Sequence, residues 1–244
     1  MKINNDRKVV SMHVPDGIFP LWLQILMYAI SGIMLFISVK MINKKFDDKL
    51  VPYMGVLAAV IYAAQFVNFP VPPSSGHLIG ATLLAVMLGP WGGMLIIGMV
   101  LFIQALSGDG GLLTYGVNFF NMGIFSCLVG WALALMLFKG MKRTMHEKKA
   151  VIVATAIASF ITTVLAAFVL GLELLTVTGF GMPALVAITT IHVFIGVGEA
   201  LLTSVILLYF VRAKPQIISF LKESETSEMA RVPVAPVPEL QIEE

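Results

Sequence analysis

Seven apolar runs, separated beyond residue 11 by three clusters of lysine and arginine, constrain this chain more than any single motif. The runs fall at about 20–41, 50–67, 77–88, 91–106, 116–138, 150–171 and 183–211. A helix that crosses a bilayer needs about 20 apolar residues, fewer where it is short or re-entrant. Of 244 residues, 58% are hydrophobic and 12% are charged. That is too little charge to keep the surface of a water-soluble domain wet. The expected fold is therefore all-α, a polytopic membrane bundle of about seven transmembrane helices, multi-pass in the lipid bilayer. Gly89, Pro90 and Trp91 form a tight turn signal between the third and fourth runs. Read as one broken helix, those two runs would give six spans.

The cations discriminate between the two counts. Lys40, Lys44, Lys45 and Lys49 follow the first run, and Lys139, Lys142, Arg143, Lys148 and Lys149 follow the fifth. Arg212, Lys214, Lys222 and Arg231 follow the seventh. Seven spans with the N-terminus outside put all three clusters in the cytoplasm and leave the outer loops without Lys or Arg, as the positive-inside rule requires. Six spans would place clusters on opposite sides. Lys2, Arg7 and Lys8 are the discordant group, and they precede "MHVPDG" at Met12–Gly17. No apolar stretch of about 7–15 residues makes the prefix a secretory signal. Residues 1–11 are thus expected to be a start-site artefact, 12–213 a membrane-embedded domain, and 214–244 a polar, proline-containing cytoplasmic tail without packed structure.

The histidines carry the chemistry. His146 lies in a basic cytoplasmic loop and reads as solvated. His13 precedes the first span and His77 opens the third, both on the outer side. Two imidazoles there can meet at a transition metal. If Met12 begins the chain, its α-amine, the His13 backbone nitrogen and the His13 imidazole form fused chelate rings, and His77 supplies a fourth nitrogen. A planar four-nitrogen set suits Ni(II), Cu(II) or low-spin Co(II) better than Zn(II), which prefers a tetrahedron.

His192 and Glu199 lie seven residues apart in the last run, on about one helix face. Ionisable groups inside a span are costly and suggest function, here a support for the His77 loop. A histidine hydrogen-bonded to a neighbouring helix is the plainer reading. "SGDGGLLTYGVNFFNMG", residues 107–123, adds Asp109, Asn118 and Asn121 near the outer surface. The two asparagines are three apart and share a face. They read as interhelical hydrogen-bonders or as a polar floor beneath a metal. The single cysteine, Cys127, permits no internal disulfide. Gly93 with Gly98, Ala59 with Ala63, and Gly196 with Gly198 allow close helix approach.

"MHVPDG", "PPSSGHLIGATLLAVMLGPWGG", "IQALSGDGGLLTYGVNFFNMG" and "HVFIGVGEAL" together resemble the metal-binding membrane subunit of cobalt and nickel energy-coupling-factor transporters, the CbiM/NikM family. The resemblance covers nearly all of residues 12–211. It implies a seven-helix capture subunit, or S component, in a prokaryotic plasma membrane, with metal held by Met12, His13 and His77. It also implies partners: a membrane T component, paired cytoplasmic ATPases and a small, separate accessory membrane subunit. The implied cargo is Co(II), expected to supply cobalamin synthesis, or Ni(II) for nickel enzymes. No cofactor and no nucleic-acid partner is expected. The chain has no G-x-x-x-x-G-K-[ST] loop, so ATP hydrolysis falls to partners and the chain itself is not an enzyme. A membrane haem or metalloenzyme with His77 and His192 as axial ligands is a different class. A vitamin-capture subunit is a third, but the outer histidines and Asp16 favour an ion over an aromatic-walled pocket.

Overall fold

The computed structural model describes residues 13–44, 50–66, 68–71 and 74–222. It contains α1 (Leu21–Asn43), α2 (Leu50–Gln65), α3 (Ala81–Leu106), α4 (Tyr115–Phe119), α5 (Ser126–Met141), α6 (Glu147–Leu174) and α7 (Met182–Ala213). A π-helical turn, Phe120–Phe125, joins α4 to α5. Five stretches are long and apolar enough to cross a membrane: α1, α3, Tyr115–Met141, α6 and α7; α2 is apolar but shorter.

The α3 segment is bent back on itself. Gly89 takes φ 78° and ψ 162°, and Pro90 follows it. A Cβ added at Gly93 would sit 3.0 Å from the Ala85 nitrogen. In a straight helix those residues would be about 12 Å apart. The chain therefore reverses at Gly89, where only glycine takes the positive φ without strain. Residues 81–88 and 90–106 form two arms, which gives the seven apolar segments that the hydropathy pattern predicts.

The third segment begins at Ala81 rather than at 77. Residues Ser74–His77 instead form β2, paired antiparallel with β1 (Asn68–Val71), with His77 opposite Asn68. The sequence gives little sign of this ribbon, because the stretch is rich in prolines that central strands reject. A two-stranded ribbon has only edges, which tolerate them.

The two ends of the bundle differ in charge. Ser31 Oγ donates to Gly116 O (3.0 Å) and Tyr28 hydroxyl to Leu112 O, so the start of α1 lies beside the α3–α4 connection. Phe220 packs on Trp131 and Phe138, with ring centroids 6.3 and 5.6 Å away, which brings the end of α7 to the later turns of α5. The cations of Lys139–Lys149 and Arg212–Lys222 thus share one end, with His13 and Asp109 at the other. The cation-rich end is the cytoplasmic one by the positive-inside bias. Residues 215–222, which the sequence pattern assigned to the tail, fold back instead, burying Ile217, Ile218, Phe220 and Leu221.

Small residues let backbones approach. Any Cβ at Gly116 would lie 2.7 Å from the Tyr28 nitrogen, so α1 and α4 cross only with glycine there. Gly98 faces Phe119 and Leu35, and Gly196 faces Phe160. Ala59 and Ala63 lie on an exposed face of α2.

Candidate metal centre

Two segments from opposite parts of the chain meet at the outer end. The first is the strap Val14–Asp16, held by the loop after α3. Val14 N donates to Asn118 Oδ1 (2.9 Å). Val14 O accepts from Thr114 Oγ1 (2.6 Å), Asn118 Nδ2 (3.1 Å) and Gly111 N (3.1 Å). Asp16 Oδ1 accepts from Thr114 N (3.1 Å) and its hydroxyl (3.3 Å). At Gly111 a Cβ would lie 2.5 Å from the Asp16 nitrogen, so the strap seats only over glycine.

The second segment is the loop carrying His77. Gly76 packs on α7: a Cβ there would run into Ile195 Cδ1 and sit 3.4 Å from His192 Nε2. Glu199 Oε1 accepts from Gly80 N (2.7 Å) and from Ile79 N. Gln65 Nε2 of α2 donates to Ile79 O (2.9 Å).

These anchors bring His13 and His77 together. Both are 3% exposed, and their rings stand 4.2 Å apart between centroids, tilted by 37°. His77 Nδ1 is 2.8 Å from Leu78 O, a bond that requires the proton on Nδ1. Its Nε2 then presents a lone pair, buried and without a protein hydrogen-bond partner among the described residues. Burial, and then the neighbouring His13, push the His77 imidazole down to about 3, so the ring is neutral at physiological pH. His13 Nδ1 lies 3.2 Å from Asp109 Oδ1. That hydrogen bond holds the Asp109 carboxyl below its usual range.

His192 is fully buried, and its Nδ1 donates to Ile188 O (2.7 Å). Its Nε2 is a second buried nitrogen without a partner among the described residues. Asn118 joins the strap, but Asn121 does not. The change from α- to π-helix at Phe120 falls between them, and Asn121 Nδ2 turns to Glu173 Oε2 of α6 at 2.7 Å. Met12 lies outside the described residues. Among the described residues, no three His, Cys, Asp or Glu side chains converge as a ready-made cage. Two imidazoles are assembled; any further donors must come from elsewhere.

Gln65 and Thr114 hold the two segments, and Glu173 holds Asn121 away from them, roles for which the sequence did not single out any of the three. Glu173 was within reach of the same rule as Glu199, an ionisable group against an apolar run. The others are ordinary polar residues whose roles follow only from contacts.

A multi-pass helical bundle with two buried imidazoles side by side at one end fits the class of transition-metal transporters. Residues 13–217 match the family described as the cobalt uptake substrate-specific transmembrane region, CbiM, and the chain belongs to that family. It is 33% identical over 212 residues to a protein of Archaeoglobus fulgidus provisionally named fused nickel transport protein NikMN, covering 85% of this chain and 68% of that one. The cobalt transport protein CbiM of Geobacter sulfurreducens is 31% identical over 138 residues, 54% of this chain and 39% of its own. A crystal structure described as a transition metal transporter superposes with TM-score 0.74 at 29% identity, over 90% of this chain and 99% of that one.

Proposed function

We propose that this chain captures Co(II) or Ni(II) at the outer face of the membrane, as the substrate-binding subunit of an energy-coupling-factor importer. The donors are the Met12 amine, the His13 backbone nitrogen, the His13 imidazole and His77 Nε2. The observation that carries the reading is the pairing of two buried imidazoles, with His77 Nε2 presenting a buried lone pair that has no hydrogen-bond partner among the described residues. An apolar bundle bears the desolvation cost of such a nitrogen when it has a ligand to meet.

The chelate uses His13 Nδ1, because the ring closed through the backbone nitrogen reaches that atom first. Asp109 holds Nδ1 in this structure. Binding therefore exchanges the carboxylate for the ion at Nδ1, shifts the ring proton to Nε2 and releases the backbone amide proton to solvent. The four nitrogens favour a planar ion, which admits nickel and low-spin cobalt and disfavours zinc.

A membrane T component, paired ATPases and a small accessory subunit complete the importer in this reading, and cobalt for cobalamin synthesis is the expected purpose. The relatives named for nickel as well as for cobalt keep nickel as the second cargo. Titration calorimetry of the purified chain with Co(II), Ni(II) and Zn(II), paired with N-terminal sequencing, tests the site. Tight Co(II) or Ni(II) binding by protein that starts at Met12 is expected. Tight binding by protein still carrying residues 1–11 would refute the amine ligand.

A further inference from the structure

Gln104 is a buried polar residue that the reading above does not use. It lies in the last turn of α3 and is 0% exposed. Neither its carboxamide oxygen nor its carboxamide nitrogen has a hydrogen-bond partner among the described residues. Burying a donor and an acceptor unmatched in an apolar bundle is expensive, and a leucine in the same place would avoid the cost.

Its place ties it to the metal centre from two sides. Gln104 O accepts from Asp109 N (2.9 Å), and Asp109 Oδ1 lies 3.2 Å from His13 Nδ1. His13 packs over the next residue, since a Cβ at Gly110 would sit 3.4 Å from the His13 Cβ. Along the helix, Gln104 follows Gly93 by about three full turns, so the two share a face. Gly93 is where the second arm of α3 meets Ala85 of the first arm. The His77 loop leads into that first arm. Gln104 thus stands at the outer end of the second arm, on the side turned to the His77 loop, while its carbonyl holds the loop that holds His13.

We propose that Gln104 is a positioning residue for the loaded centre: once the ion occupies His13 Nδ1, Gln104 Oε1 accepts the His13 Nε2 proton and Gln104 Nε2 donates to Asp109. The inference rests on the capture reading above. Loading creates one donor and frees one acceptor. Moving the ring proton from Nδ1 to Nε2 makes a buried donor, since His13 is 3% exposed, and displacing Asp109 from Nδ1 frees a carboxylate oxygen. A carboxamide offers the complementary pair, one oxygen and one NH2 group. A histidine that binds a metal through one ring nitrogen is fixed in tautomer and orientation by what its other nitrogen donates to. The two bonds that Gln104 does not make while His13 is tied to Asp109 are the two that it makes when His13 turns to the ion. The same carboxamide therefore disfavours the first arrangement and favours the second.

Gln104→Leu in the full chain tests the inference, because leucine removes both polar atoms at similar volume. Without metal, the variant is expected to melt at the wild-type temperature or above it, since an unmatched buried amide is gone. Its Ni(II) affinity, read by calorimetry, is expected to fall roughly tenfold, the lower end of the range for groups that support a metal ligand. A merely structural residue would not move the two in opposite directions. The second readout is spectroscopic. Planar low-spin Ni(II) is diamagnetic, so the loaded protein with isotope-labelled histidine gives sharp NMR signals. The His13 Nε2–H proton is expected far downfield, as a hydrogen-bonded proton is, and should move upfield in Gln104→Leu. Gln104→Met keeps the length of the side chain and repeats both measurements if the leucine variant does not fold. Wild-type Ni(II) affinity, or a His13 Nε2–H resonance that stays in place, would overturn the assignment. Failure of the capture reading shows differently, as wild-type Ni(II) binding by His77→Ala.

Discussion

The two halves of the metal centre are held in opposite ways. The His13 strap rests on the loop between α3 and α4, through backbone amides, one hydroxyl and one asparagine. The His77 loop rests on long helices, through a buried carboxylate of α7 and a glutamine of α2. One partner therefore moves with α4 and the second arm of α3, the other with α7, α2 and the first arm of α3. A shift between those groups by an ångström or two would part the imidazoles without unfolding either anchor. Capture then needs both groups in register, and release needs only that register lost.

Removing a ligand from either half should have the largest effect. His13→Ala and His77→Ala should each weaken Co(II) or Ni(II) binding by roughly a hundredfold or more, beyond the range for supporting residues. His146→Ala is the internal control. It is exposed, and its Nδ1 accepts from Lys148 N at the start of α6, so it should cost some stability and no affinity. Calorimetry on the three variants decides this. Near-native binding by either of the first two would separate the centre from function.

The second comparison uses glycines, one under each half. Gly111→Ala sets a methyl against the Asp16 backbone nitrogen and side chain. Backbone cannot swing aside, so the strap must lift, and overpacking of this kind costs about 1–3 kcal/mol. Gly76→Ala meets the Cδ1 end of Ile195, a flexible side chain that can rotate away. A loss of roughly thirtyfold in affinity is expected for the first and roughly threefold for the second. The reverse order would mean that the loop, not the strap, is the rigid partner.

The helices and their ends were legible because each rests on a local signal. Apolar runs long enough to span, a Gly-Pro pair at 89–90 and clustered lysines report on one stretch of chain at a time. Glu199 and His192 were readable as one buried face for the same reason. What lay beyond reach was anything set by distant neighbours. The ribbon Asn68–His77 is disguised by its prolines. Asn121 parts from Asn118 because a π turn intervenes, and such a turn has no simple sequence mark. Glu173 fell just past the expected end of its span, although it is 8% exposed and faces Asn121. That His13 and His77 share a side followed from counting spans; that they touch follows only from the fold.

The smallest expected effects come from the side-chain anchors. Asn118 makes two hydrogen bonds to Val14, whereas Gln65 makes one to Ile79. At about 1 kcal/mol net for each bond, Asn118→Ala removes ~2 kcal/mol and Gln65→Ala about half of that. Binding reads this only as the fraction of protein whose segment stays docked, since apparent affinity falls in proportion to the competent fraction. The Val14 carbonyl keeps Thr114 and Gly111 as donors, so the strap stays partly seated after Asn118 is lost. The ceiling for Asn118→Ala is then roughly thirtyfold and the expected loss roughly tenfold. The Ile79–Gly80 amides keep Glu199, so Gln65→Ala should lose no more than about threefold. Hydrogen exchange at the Val14 and Ile79 amides, alongside calorimetry, would show whether each segment opens alone. Opening of both segments in either variant would mean that the two halves move as one body, and the register mechanism would fail.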